Sequence, residues 1–203
     1  MIHVMERMQL GRPRAFDAGE ALEKAMRVFW AQGYEGASLA DLTEAMGISR
    51  KSMYAAFGNK EALFRQVLRR YEQGPGAYVV RALRAPDARA VAETFLAGSV
   101  ESNTQPGCPS GCLGVQGALA VGETGRIARD VLAEWRAGGQ RLLRDRFRQA
   151  VTDGDLPAGA DPDLIARYVM TIANGMAVQA AGGATRAELQ QVAATALRNW
   201  PPV

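Results

Sequence analysis

The chain has 203 residues, 48% of them hydrophobic, with 24 Lys and Arg against 21 Asp and Glu, a formal net charge of +3, two cysteines and one histidine. That length and apolar content are enough to bury a real core, and no uncharged apolar run approaches the roughly eighteen residues a membrane helix needs. A bulk polycation is excluded by the charge, a disulfide scaffold by the cysteine count, and a Ser-His-Asp triad, a Cys-His pair or a two-histidine metal site by the single His3 near the N-terminus.

The first eight residues carry Glu6 and Arg7 and lack the apolar stretch of a secretory signal, so a cytoplasmic protein is expected. Beyond them the pattern is helical nearly throughout, and an all-α fold follows. A first helix is predicted to start after Asp17, a good N-cap residue, with Glu20 three residues on. Leu22, Ala25, Met26, Phe29 and Trp30 give it one apolar stripe, and Gly33 ends it. A second helix starts at Ser38, with Leu39, Leu42 and Met46 on its apolar face, and stops at Gly47. Ser49 caps a third, which ends at Gly58. Asn59 caps a fourth that runs through Tyr71. Gly74, Pro75 and Gly76 then break the chain, dividing it into residues 1–74 and 75–203. Helices are expected further on at about 87–102, 112–121, 124–151, 162–182 and 186–199, with loops at 103–111 and 153–160.

Function is carried by residues 39–57, LADLTEAMGISRKSMYAAF. Two short helices joined by a tight turn at Gly47, Ile48 and Ser49 make a helix-turn-helix. Met53 and Phe57, four apart, share an inward face. Arg50, Lys51, Ser52 and Tyr54 then point outward, as a helix reading the major groove of double-stranded DNA requires. Helix N-termini favour phosphate, which suits Ser38 and Ser49. Lys60 follows the turn, where it can hold a phosphate, and Arg12 and Arg14 form a basic arm able to cross the backbone or enter the minor groove. The bland alternative is a helical scaffold whose Arg50 and Lys51 are an ordinary solvated face.

Residues 14–72 resemble the N-terminal domain of the TetR family of bacterial repressors, through GYEGAS before the second helix and YAAFGNKEALF after the recognition helix. The GRPRAFD start and the later GCLGVQGALA are similar to the branch that includes the copper-outer-membrane-protein regulators. The resemblance implies a three-helix helix-turn-helix head and a larger helical body that binds a small-molecule effector. It also implies a homodimer formed through the last two helices. On this basis Ser38, Arg50, Lys51, Ser52, Tyr54 and Lys60 occupy DNA-contact positions. Ala55 stands where many members carry histidine and offers only an apolar contact.

In the body, Gly175, Ala177, Ala180, Ala181, Ala193, Ala194 and Ala196 are small enough to let helices approach closely, either across a dimer or within one chain. Cys108 and Cys112 lie in GCPSGCLG. They read either as a thiol switch or soft-metal site responsive to oxidant or copper, or as two small, semi-buried residues at the start of a helix. No histidine stands nearby to complete a metal site, and neither a metal nor a cofactor is expected. Phe95, Trp135, Met170 and Met176 are candidates to line an effector pocket, or simple core. An enzyme finds no support: Gly107, Gly111, Gly114 and Gly117 are not followed by a phosphate-loop lysine, and no dinucleotide fingerprint occurs.

Overall fold

The structure is a computed structural model that describes residues 16–117, 125–198 and 200–201. Arg12 and Arg14 lie outside the described residues. Those described form ten α-helices and no strand, and no helix among them is long and apolar enough to cross a membrane.

Local chemistry places the first four helices where capping residues stand. The Asp17 carboxylate accepts from the Gly19 and Glu20 backbone N–H groups at 2.7 and 3.0 Å and starts α1, Ala18–Gly36. Glu20 does not close a reciprocal box; it pairs with Lys24 at 2.8 Å. The helical path of α1 breaks at Gly33, whose φ of 71° is left-handed, so the turn reaching Gly36 is offset from the main helix. Ser38 and Asp41 form a full capping box on α2, Leu39–Met46. Left-handed Gly47 makes the turn, and Ser49 caps α3, Arg50–Phe57. Asn59 accepts from the Ala62 N–H at 2.8 Å and starts α4, Lys60–Gln73.

The apolar stripe of α1 (Ala21, Ala25, Met26, Phe29, Trp30) is buried against Leu63, Phe64, Val67, Leu68 and Tyr71 of α4. Edge-to-face rings lock the pair: Phe29 and Phe64 at 5.0 Å, Trp30 and Tyr71 at 5.1 Å. Leu42 and Met46 of α2 and Met53 and Phe57 of α3 fill the same core. Each such buried large side chain contributes about 1.5–3 kcal/mol.

The break at 74–76 is a single 3-10 turn, Pro75–Ala77, that leads into α5, Tyr78–Leu83. Six residues are too few to show a helical period, so α5 is not legible beforehand. Then come α6 (Ala88–Asn103), α7 (Leu113–Gln116), α8 (Arg126–Thr152), α9 (Pro162–Ala181) and α10 (Arg186–Arg198). The helix expected at 112–121 is described only as the four residues of α7, and 118–124 lie outside the described residues. Helix α6 packs against α5, α9 and α10, and α8 packs along α9. Their shared core includes Leu96, Leu143, Phe147, Val169 and Leu189.

Head and body are not sealed from each other. Cys112, Leu113, Val115, Leu132 and Ala177 join the apolar cluster of the head. Backbone and side-chain bonds stitch α1 to the segment around α7: Tyr34 N–H to Gly117 O at 2.9 Å, Trp30 Nε1 to Gly111 O at 3.0 Å, and an Arg27 guanidinium nitrogen to Gly107 O at 2.6 Å.

Candidate DNA-binding face and effector cavity

The helix-turn-helix presents two faces of opposite character. Met53 and Phe57 are buried while Arg50, Lys51 and Tyr54 are exposed. Tyr54, at 48%, is among the few large hydrophobic side chains left in solvent. Ser49 Oγ accepts from the Ser52 N–H at 3.1 Å and lies 3.0 Å from Ser52 Oγ, so these two residues build the N-terminus of α3 while remaining at its surface. Ser38 is exposed at the start of α2. Its own N–H donates to Asp41 and its Oγ accepts from the Asp41 N–H. Hydrogen bonds donated to the Asp41 carboxylate by the Ser38 side chain, and then by its backbone N–H, hold that carboxyl below the ordinary aspartate value.

Lys60 is half-buried, its ammonium 4.6 Å from the centroid of the Tyr34 ring. Desolvation lowers its pKa, and the charges of Glu35 and Asp41 oppose that shift. Tyr34, from the GYEG turn, therefore orients Lys60 beside the start of α4, an arrangement that spacing alone does not show.

The body contains a cavity of about 640 Å³ between α5, α6, α8, α9 and the C-terminal end of α4, within the usual range for small-molecule sites. Its apolar wall includes Phe95, Val115, Trp135, Leu142, Met170 and Ala173. Polar groups are few: Tyr78, Ser99, Asn174 and the Cys112 thiol inside, with Glu72, Arg136, Arg141 and Asp145 as the charged members. Trp135 Nε1 donates to Glu72 at 2.7 Å and Arg136 donates to the Gly114 carbonyl at 2.6 Å. The Tyr71 hydroxyl donates to Cys112 Sγ at 3.3 Å. Burial pushes the Cys112 thiol and the Tyr71 and Tyr78 hydroxyls upward, so all three are neutral at physiological pH.

Of the residues considered for a pocket, Phe95, Cys112, Trp135 and Met170 line this cavity and two do not. Met176 is 1% exposed and buried in the core of the body, away from the lining of the void. Cys108 packs partly buried against the head cluster instead. The small residues of the last helices also divide. Ala177, Ala180, Ala193 and Ala196 are buried within this chain, whereas Gly175, Ala181 and Ala194 are exposed.

Sequence reasoning missed Glu72, Arg136 and Asn174, which come from three helices and share no local pattern. A signal did exist for Gly138 and Gly139. Adjacent glycines inside a long helical pattern are costly, and here both line the cavity.

Comparison with known proteins agrees with this architecture. Residues 21–67 match the family described as bacterial regulatory proteins, tetR family, and residues 88–197 match the tetracyclin repressor-like C-terminal domain. The chain is 36% identical over 194 residues to the HTH-type transcriptional repressor ComR of Escherichia coli (strain K12), covering 94% of this chain and 92% of that one. It is 28% identical to the HTH-type transcriptional repressor BdcR of the same organism, covering 92% and 88%. Among solved structures, a cysteine mutant of the TetR family transcriptional regulator CifR, complexed with 26bp double-strand operator DNA, superposes with a TM-score of 0.89 at 45% identity, covering 94% of this chain and all of that one. A TetR regulator from Rhodococcus sp. RHA1 gives 0.62 at 42% identity, covering 90% and 98%. The chain belongs to the TetR family of bacterial transcriptional regulators, DNA-binding proteins and not enzymes.

Proposed function

We propose that this chain represses transcription as a cytoplasmic homodimer on a palindromic operator and is released when a small molecule fills the cavity of its body. The observation that carries the reading is α3, with Met53 and Phe57 buried below and Arg50, Lys51 and Tyr54 exposed above. Such a helix enters the major groove with its N-terminal residues at base edges. Ser38, Ser49, Ser52 and Lys60 surround it as phosphate contacts, and residues 1–74 act as head to an effector-binding body, 75–203. CifR, at 45% identity, is complexed with operator DNA.

The dimer is assigned to α9 and α10. Leu164, Val178 and Val192 are large apolar side chains, 52%, 50% and 36% exposed. Along α9, Leu164, Arg167, Thr171, Gly175 and Val178 form one exposed stripe at helical spacing. A Cβ added at Gly175 would meet nothing within 4 Å, so the position is open to a close-packed partner helix. Ligand in the cavity would press on Glu72, and on Cys112 to which Tyr71 donates, so reaching the far end of the helix that begins with Lys60. A coupling of about 1–3 kcal/mol is enough to move a head off its half-site.

Selection of bound fragments from random duplexes, then titration of the winner at several salt concentrations, tests this. The expected result is a palindrome bound by two chains, weakening steeply with salt. No enrichment would overturn it. A thiol- or copper-responsive regulator using Cys108 and Cys112 is the weaker reading. Burial keeps the Cys112 thiol protonated, and the described residues hold no group of three or more His, Cys, Asp or Glu side chains suited to a metal.

A further inference from the structure

The charged groups around the cavity are not alike. Arg141, Asp145 and Glu72 are exposed at its mouth. Arg141 pairs with Glu134 at 2.6 Å, and Asp145 with Arg144 and Arg148. The carboxylate of Glu72 accepts from Trp135. Arg136 differs: it is half-buried, burial is the largest influence on it and lowers its pKa, and the cavity opens beside it. A guanidinium has five N–H donors. One of them meets the Gly114 carbonyl, and among the described residues no carboxylate lies within ion-pair distance of the group. A partly desolvated cation without a counter-ion is costly, and the fork geometry of arginine matches a carboxylate bidentately.

Apart from Ser99, Asn174 and the Cys112 thiol, the remaining wall is apolar and aromatic, with Phe95, Trp135 and Tyr78 standing around the void and Gly138 and Gly139 on the α8 side. A Cβ at either glycine would be no closer than 3.7 Å to the nearest side chain. Close packing therefore does not require glycine there, and room for a ligand does.

We infer that the effector is an aromatic carboxylate whose ring lies among Phe95, Trp135 and Tyr78 and whose carboxylate pairs with Arg136. The inference rests on the cavity being the effector site. The ion pair would complete a charge that the described residues leave without a carboxylate partner, and it would sit beside Trp135, which already holds the end of α4 through Glu72.

The test uses the full-length protein with biphenyl-4-carboxylate and its neutral amide as probes. Binding is read by calorimetry and operator release by anisotropy of the labelled duplex. The carboxylate should bind at least tenfold tighter than the amide in the wild type and in Arg136→Lys, and lose that preference in Arg136→Gln. Retained folding of each variant is checked by thermal unfolding, and the lysine variant keeps the comparison decisive if the glutamine variant does not fold. Equal binding of acid and amide, or binding of neither, would overturn the inference. So would tighter binding of the matching biphenyl amine, which would point to Glu72. If the acid binds through Arg136 but operator affinity is unchanged, the anion site stands and the release mechanism fails.

Discussion

Arg50 and Lys51 sit side by side at the first turn of α3, exposed, and neither forms an ion pair among the described residues. If each reads a base edge, Arg50→Ala or Lys51→Ala should cost about 1–3 kcal/mol on the selected operator and much less on scrambled DNA. Competition titration with the two duplexes measures the difference, and wild-type affinity in both variants would remove the docking geometry. Lys60→Ala should instead weaken both duplexes alike, as loss of a phosphate contact does. The capping carboxylates give a second residue-scale outcome. Hydrogen bonds hold Asp17 and Asp41 below the ordinary aspartate value of 3.8. A carboxyl lowered by folding stabilises the fold fully above its unfolded value, and that stabilisation fades as pH falls through the lower folded value. Thermal stability should therefore decline as pH drops below about 4, with a shallower decline in Asp41→Ala. Identical pH profiles would show that the capping box contributes nothing.

At the scale of elements, α1 and α8 each carry glycine for a different reason. Gly33 is left-handed, and a Cβ there would stand 3.3 Å from the Gly117 carbonyl oxygen. Gly33→Ala should lower stability by about 1–3 kcal/mol from the backbone conformation alone, since φ 71° with ψ 176° is essentially reserved to glycine, read as a fall in the unfolding midpoint in denaturant. Gly138 and Gly139 are different, because they lie within a continuous helix with room for a methyl. Gly138→Ala should raise stability by about 0.5–1 kcal/mol while weakening ligand binding, and a stabilised variant with unchanged ligand affinity would show that the glycine pair does not serve the cavity. The starts of nearly all the elements are legible because capping is local. Asp17, Ser38, Ser49, Asn59, Asp87 and Asp161 each accept backbone N–H groups within three residues. Helix α5 is not legible, being held by burial of Ala82 and by Tyr78 packed edge-on to Phe95 at 5.4 Å, a contact made across seventeen residues of chain.

At the scale of the whole molecule, the proposed dimer would bury the exposed apolar side chains of α9 and α10. Val178 is half-exposed, so Val178→Asp disturbs no buried packing within the chain. It should shift the protein to monomers in sedimentation analysis and lower operator affinity steeply, because two linked heads bind far more tightly than one. A dimer that survives this change would move the interface elsewhere. The small residues show why sequence reading stops short here. Ala177 and Ala181 are both alanine on one helix, yet the first is buried in the core and the second faces solvent, and only the packing of α9 on α6 and α8 separates them.

The sequence by itself determined the all-α fold, the helix starts and the helix-turn-helix, because caps, turns and a 3.6-residue period act within a few residues of each other. It also marked which side of α3 is apolar. Only the tertiary structure decided which candidates reach the cavity. It brought Phe95, Cys112, Trp135 and Met170 together, sent Met176 into the core and set Cys108 against the head. It also placed Arg136 beside the void and Lys60 over Tyr34. Each of these depends on how helices distant in sequence rotate and cross, and that geometry follows from packing the whole set of side chains at once.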